Sequence, residues 1–271
     1  MNKENINLEE LSNFIKSIAK EAGNILLKIY SKKDLQHKMK GEDDTNNLVT
    51  EADEAANKFL ISEIRLNYPD HGIMSEEGEG INPNAEYLWI LDPLDGTVNF
   101  KTHNPLFGTV VAILQNKKPL MSAIYIPILD ELYFAQRGNG SYLNGERIQG
   151  SKTTSLVKSV GCIPSHNKQG QWPLYMYENA CKKKAWANAL GSAAVMAVYV
   201  AAGRRDWYVS SDKDVWDLAP QVLLLEEAGC PATDSNGKPW SFESRELVTA
   251  NKELHPELLE LVKEIKKEYN L

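Results

Sequence analysis

Apolar positions along the chain follow two spacings, and the changes between them mark out its elements. From residue 8 to 29 they recur at Leu8, Leu11, Ile15, Ile18, Ala22, Ile25, Leu26 and Ile29. This is the three-and-four spacing of an amphipathic helix, with Asn7 placed to cap it. The polar stretch 31–47 has no period and reads as a loop, in which Lys40 is a candidate site contact. A second helix is predicted to begin within 48–53, with Ala52, Ala56, Phe59, Leu60 and Ile64 facing the core and Pro69 beyond its end. Ile73, Met74 and Ser75 form a short strand that runs into Glu76 and Glu77. Adjacent side chains on a strand point to opposite faces, so only one of these acids can serve a site, and Glu76 is the candidate.

Leu88 to Leu91 is a continuous apolar run, the pattern of a buried strand. It stops at Asp92-Pro93, where proline cannot donate to a ladder, so Asp92 is predicted at the strand's end. Gly96 and Thr97 should open a helix. Residues 106–114, 120–126 and 131–136 are apolar and β-branched, and Gly138-Asn139-Gly140 and Asn144-Gly145 are hairpin turns. A largely antiparallel sheet follows from them.

The patternless polar stretch 151–155 divides the chain into an N-terminal α+β half, 1–150, and a smaller C-terminal α/β half, 151–271. The second half alternates a strand near 157–162, a helix near 174–184, an all-round apolar and hence buried helix over 193–202 capped by Gly191-Ser192, and a strand at 207–209. A helix with Asp217 as its N-cap and Gly229 at its end, a strand at 247–250 and a charged amphipathic helix over 256–269 complete it.

Charge and composition narrow the function. The 271 residues carry 30 Lys and Arg against 37 Asp and Glu, net −7, without a run of five basic residues, which disfavours nucleic acid as a partner. No apolar run approaches the roughly 20 residues that span a bilayer, and the first residues lack a signal pattern, so a soluble cytoplasmic protein without a membrane partner is expected. Cys162, Cys181 and Cys230 are too few and too scattered for a disulfide framework, and the five histidines form no H-x-x-x-H pair.

Chemistry concentrates in Asp92-Pro93-Leu94-Asp95-Gly96-Thr97. Between the fixed φ of Pro93 and the permissive Gly96 the chain must turn sharply, bringing Asp92 and Asp95 around one small volume. With the carbonyl of Leu94 between them, this is oxygen-only ligation, suited to Mg²⁺. The N–H groups at Gly96 and Thr97 would offer an adjacent anion site. Asp53 and Asp217 lie at helix starts, where each is also an ordinary capping residue.

Taken together, Val49-Thr50-Glu51-Ala52-Asp53, Ser75-Glu76-Glu77, the run from Trp89 to Phe100 (WILDPLDGTVNF), Gly191-Ser192-Ala193 and Trp216-Asp217-Leu218-Ala219 resemble the inositol monophosphatase family of lithium-inhibited, magnesium-dependent phosphatases. The resemblance implies a layered αβαβα sugar-phosphatase fold and a homodimer. It also implies two to three Mg²⁺ per site: Glu76, Asp92 and the Leu94 carbonyl for the first, Asp92, Asp95 and Asp217 for the second, and Glu76 sharing water with a third. Thr97, hydrogen-bonded to Asp53, would orient and activate the attacking water. Gly96 and Thr97 would hold the phosphate, while Asp95, Gly191, Ser192 and Ala193 would meet the alcohol side of a small phosphorylated metabolite. Ser210 stands seven residues before Asp217, where inositol phosphatases usually carry a Glu that contacts substrate hydroxyls. Looser reading of inositol 1-phosphate and related polyol or sugar phosphates is therefore expected. Bisphosphate nucleotidase, fructose-1,6-bisphosphatase and histidinol-phosphatase activities occur on the same scaffold. Val98 after Asp95-Gly96-Thr97 matches the inositol group, whereas the nucleotidases usually have Lys there.

Magnitudes argue for cations independently. Phosphate monoesters are the slowest uncatalysed cases, needing acceleration of order 10²¹, and one positioned acid or base supplies roughly 10² to 10⁴. Five converging carboxylates would also repel one another and take up protons unless cations lay among them. A non-catalytic regulator built on this scaffold should have lost a ligand, and none is missing.

Overall fold

The computed structural model describes residues 6–31, 37–39, 48–78, 80–164, 172–211 and 214–271, with 37–39 and 48–50 described as backbone. Lys40, most of the 31–47 stretch, Asp212 and Lys213 lie outside the described residues. Helix α1 (Leu8–Tyr30) forms as its periodicity predicts. The Asn7 side chain accepts from the N–H groups of Glu9 and Glu10, two of the donors a helix start leaves without partners.

The two short strands β1 (His37–Met39) and β2 (Leu48–Thr50) pair antiparallel, and α2 (Glu51–Asn67) starts only after them. The helix expected to begin within 48–53 therefore begins at Glu51. Residues 48–50 are apolar or β-branched and find a strand partner inside what the sequence shows as a polar loop.

Next come β3 (Gly72–Ser75), β4 (Tyr87–Asp95), the one-turn helix α3 (Thr97–Lys101), β5 (Gly108–Gln115), β6 (Lys118–Ile126), β7 (Glu131–Gln136), β8 (Gly140–Leu143) and β9 (Glu146–Ile148). The strands form one seven-stranded sheet in sequence order, antiparallel except for the parallel pair β3–β4.

The remainder runs β10 (Val160–Cys162), α4 (Trp172–Lys182), β11 (Trp186–Asn188), α5 (Ala193–Ala201), β12 (Trp207–Ser210), α6 (Val215–Glu227), β13 (Ala232–Thr233), β14 (Leu247–Ala250) and α7 (His255–Glu268). Its sheet has the order β11-β10-β12-β14-β13. The edge strands β11 and β13, three and two residues long, are too short to show a period in the sequence.

The buried clusters show the layering. Leu11, Ile15, Leu26, Ala56 and Leu60 of α1 and α2 pack with Trp89, Leu91, Val111 and Ala123 on one face of the large sheet. Val195, Val198, Leu223 and Leu224 of α5 and α6 meet Val110, Ile124, Ile126 and Tyr133 on the other face. The same two helices present Met196, Val200, Leu218 and Val222 to Tyr208 and Leu247 of the small sheet. Met176, Leu258 and Val262 of α4 and α7 cover that sheet's far side against Trp207 and Val248. The order is αβαβα.

Helix α6 has a prepared seat. In one cross-strand row of the large sheet, Ala112, Ser122, Ala135 and Ser141 are successive register partners on β5, β6, β7 and β8. Small side chains there let a helix backbone approach closely, and α6 packs along β4 to β8 over this row. Its last residue, Glu227, accepts from the N–H groups of Gly138 and Gly140 at 2.6 and 2.7 Å. With that end pinned on the β7–β8 turn, the other end is free to carry Asp217.

Candidate active site

The site begins in β4. Trp89, Ile90 and Leu91 are fully buried, and the strand does not stop at Asp92 as its Pro93 suggests. Asp92 pairs with Val110 and Asp95 with Gly108, so three steps on β4 oppose two on β5. This is a bulge, one of the few places a sheet tolerates proline. The Thr109 hydroxyl donates to the Pro93 carbonyl at 3.0 Å, and the Leu94 N–H donates to Asp92 Oδ1 at 3.1 Å. Re-aimed in this way, Asp92 and Asp95 share one side of the strand's end.

Glu76 arrives from β3. Its N–H donates to the Leu91 carbonyl at 3.0 Å, continuing the β3–β4 pairing one step past Ser75 and setting the residue beside Asp92. Asp217 comes from α6, where it is the third helical residue rather than the expected N-cap. Val215 and Trp216 already belong to the helix, and the Asp214 N–H donates to Asp217 Oδ2 at 3.3 Å. Asp53, on the first turn of α2, is 3 % exposed.

Asp92, Asp95 and Asp217 each offer a carboxylate oxygen within 4.8 Å of the others, the one such metal-compatible group among the described residues. Glu76 and Asp53 lie outside that triad but act on it. Burial first, then the carboxylates of Glu76, Asp95, Asp217 and Asp53, push the Asp92 carboxyl well above the usual range. An acid so placed takes up a proton unless positive charge is supplied. Oxygen donors crowded against their own repulsion are what a hard divalent cation needs, so these residues fit one.

Asp95 also belongs to the start of α5. It accepts from the Ser192 hydroxyl and from the N–H groups of Ala193 at 3.1 Å and Ala194 at 2.8 Å. Ser192 Oγ in turn accepts from the Val195 N–H at 3.1 Å, the N-cap expected of it. A carboxylate at a helix N-terminus is favoured by the free N–H groups and the helix dipole. The part played by Ala194 was not legible in the sequence, because a backbone N–H leaves no side-chain signal.

Gly96 adopts φ 87° and opens α3. The Thr97 hydroxyl gives its hydrogen to the Leu94 carbonyl at 3.1 Å and not to Asp53 as expected, because the left-handed turn at Gly96 folds Thr97 back over the bulge. Asn99, also missed, donates from one amide nitrogen to the carbonyls of Leu106 and Leu190 at 2.6 and 2.8 Å, tying α3 to the segment before Gly191. At Gly191, φ is 76° and an added Cβ would lie 2.6 Å from Asn99 Oδ1. Ser210 closes β12 opposite Leu247, fully buried, and its hydroxyl has no partner among the described residues.

A sequence model described as the inositol monophosphatase family matches residues 7–267. The fructose-1,6-bisphosphatase/inositol-1-monophosphatase of Thermotoga maritima is 34 % identical over 252 residues, covering 93 % of this chain and 95 % of that protein. A Nus factor SuhB of Pasteurella multocida is 35 % identical over 246 residues, 89 % of this chain and 91 % of its own length. A solved IMPase structure from Thermotoga maritima superposes with a TM-score of 0.87 at 33 % identity, over 96 % of this chain and 99 % of that one.

Proposed function

Since the chain belongs to the inositol monophosphatase family, we propose that it hydrolyses inositol 1-phosphate and related polyol and sugar monophosphates with Mg²⁺. The observation that carries this is the triad Asp92, Asp95 and Asp217, buried or half-buried with oxygens within 4.8 Å, joined by Glu76 and Asp53. Glu76, Asp92 and the Leu94 carbonyl would hold one Mg²⁺ and Asp92, Asp95 and Asp217 a second, with Glu76 shared toward a third. When bound, the cations neutralise charge on the phosphoryl group and lower the pKa of water.

The chain's own groups supply the rest. Thr97 has spent its hydrogen on Leu94, so its oxygen is left to accept one from water and aim that water's lone pair. Asp53, buried beside the cluster, is the carboxylate assigned to receive the proton. N–H groups at Gly96 and Thr97 would meet the phosphate. Gly191, Ser192 and Ala193 would border the side where the alcohol leaves, Ser192 and Ala193 through their hydrogen bonds to Asp95. Water adds to phosphorus and gives up its proton to Asp53, the ester P–O bond breaks, and the leaving oxygen takes a proton from a solvent water and departs as the alcohol.

The buried Ser210 presents no carboxylate to substrate hydroxyls. Losing one such contact costs roughly 1–3 kcal/mol, about five- to 150-fold in preference for inositol. Phosphate release with Mg²⁺ should therefore be measurable on inositol 1-phosphate, glycerol 2-phosphate, fructose 1,6-bisphosphate and adenosine 3′,5′-bisphosphate. A thousand-fold spread in kcat/KM would overturn the loose specificity, and release undiminished in EDTA would overturn the metal dependence.

The relatives named Nus factor SuhB favour a second reading, a regulator acting through a partner. The complete acid set favours catalysis, and failure of all four substrates would turn the balance.

A further inference from the structure

Helix α2 carries a second polar residue one turn beyond Asp53. Asn57 lies four residues on, hence on the same face, and its side chain closes a ring of hydrogen bonds around the acidic turn after β3. Its amide nitrogen donates to the Glu77 carbonyl, and its Oδ1 accepts from the Ser75 hydroxyl at 2.8 Å. The Glu77 N–H returns to Ser75 Oγ at 3.3 Å, and the Glu76 N–H between them donates to Leu91 on β4. The backbone on both sides of Glu76 is thus tied, on one flank to the strand that bears Asp92 and on the other to the helix that bears Asp53.

We propose that Asn57 is a positioning residue for Glu76, holding that carboxylate at the geometry the cation site requires. The inference rests on the proposed function, in which Glu76 is a cation ligand. Ser75, only 6 % exposed, directs its hydroxyl hydrogen at Asn57 Oδ1. Groups that orient a ligand typically govern 10–100-fold in metal affinity. Asn57 and Glu77 both border an open groove of about 500 Å³, so truncating Asn57 admits water instead of opening a sealed void.

The test measures Mn²⁺ binding by electron paramagnetic resonance, Mg²⁺ half-saturation of phosphate release, KM at saturating Mg²⁺, and the melting temperature without metal. Asn57→Ala is expected to weaken Mn²⁺ binding and raise the Mg²⁺ half-saturation by roughly ten-fold, leaving KM within about two-fold. Asn67→Ala makes the same substitution further along α2, where among the described residues the Asn67 side chain bonds only within the helix, to Glu63 at 2.9 Å. Being exposed, it should melt within about 1 °C of wild type without metal and keep wild-type metal affinity. Ser75→Ala cuts the ring at its other member and carries the test alone if Asn57→Ala does not fold. Wild-type affinity in both Asn57→Ala and Ser75→Ala, beside weakened binding in Glu76→Gln, would overturn the inference alone. Wild-type affinity in Glu76→Gln would instead overturn the ligand assignment beneath it.

Discussion

Asn99 joins two segments 91 residues apart in sequence, and replacing it with leucine isolates what that junction is worth. Leucine is similar in volume but donates nothing, so the carbonyls of Leu106 and Leu190 lose bonds of 2.6 and 2.8 Å. Asn99 is 7 % exposed, which lets some water reach the abandoned carbonyls and argues for the middle of the range. Two such bonds at about 1–1.5 kcal/mol each come to about 2–3 kcal/mol. An unfolding entropy near 2.1 cal/mol/K per residue gives ~0.57 kcal/mol/K for 271 residues. The melting temperature should then fall by ~4–5 °C. Because the released segment leads through Gly191 into Ser192 and Ala193, whose groups hold Asp95, turnover should fall as well. A misplacement of about 1 Å can cost up to roughly 100-fold. Differential scanning calorimetry and phosphate release on the same preparation check both. A melting temperature within 1 °C of wild type with full turnover would refute the idea that this amide holds the site's two sides in register.

Three further outcomes are expected. Asp95→Asn should remove nearly all turnover and cost about 1–2 kcal/mol in urea unfolding, because an amide nitrogen then faces donors at Ser192, Ala193 and Ala194; near-normal turnover would refute the assigned role. Burial pushes His71 and His255 below the ordinary 6.5, so the unfolded chain binds more protons and stability drops as pH falls through 6.5 toward the folded values. His71, which accepts from Trp89 Nε1 at 3.0 Å, can be isolated: the melting-temperature gap between wild type and His71→Phe should narrow from pH 8 to pH 5, and a constant gap would contradict this. Light scattering should give about twice the 30.4 kDa chain mass at micromolar concentration if the expected homodimer forms, and the single-chain mass would reject it.

What could be read in the sequence was whatever leaves a local trace. The period of α1 and its Asn7 cap, the apolar run of β4 and the hairpin turns of the large sheet each repeat or punctuate over a few residues. The acids were legible because five of them cluster at the ends of such elements. What escaped depended on partners distant in the chain. Pro93 looks like a strand terminator until β5 supplies the opposing register that makes a bulge. Residues 48–50 look like a helix start until 37–39 pair with them. Asp217 looks like a cap until Val215 and Trp216 are seen to be helical already. Asn99 is one polar residue in a short helix, and its worth lies in a carbonyl 91 residues away.

The seating of α6 across the large sheet bears on how the chain is made. The sheet's last strand ends at Ile148 and the helix covering it ends at Glu227, 227 − 148 = 79 residues later. At roughly 5–20 residues per second, a ribosome takes about 4–16 s to cross that interval. For the first part of it the face bearing Val110, Ile124, Ile126 and Tyr133 has α1 and α2 behind it and nothing of its own chain in front, and only α5 can begin to cover it before α6 is complete. A nascent sheet with one greasy face bare for seconds is a substrate for chaperones and for its neighbours on the same message. Expression temperature and trigger-type holdases should therefore govern the soluble yield of this protein more than mutations in the finished site do.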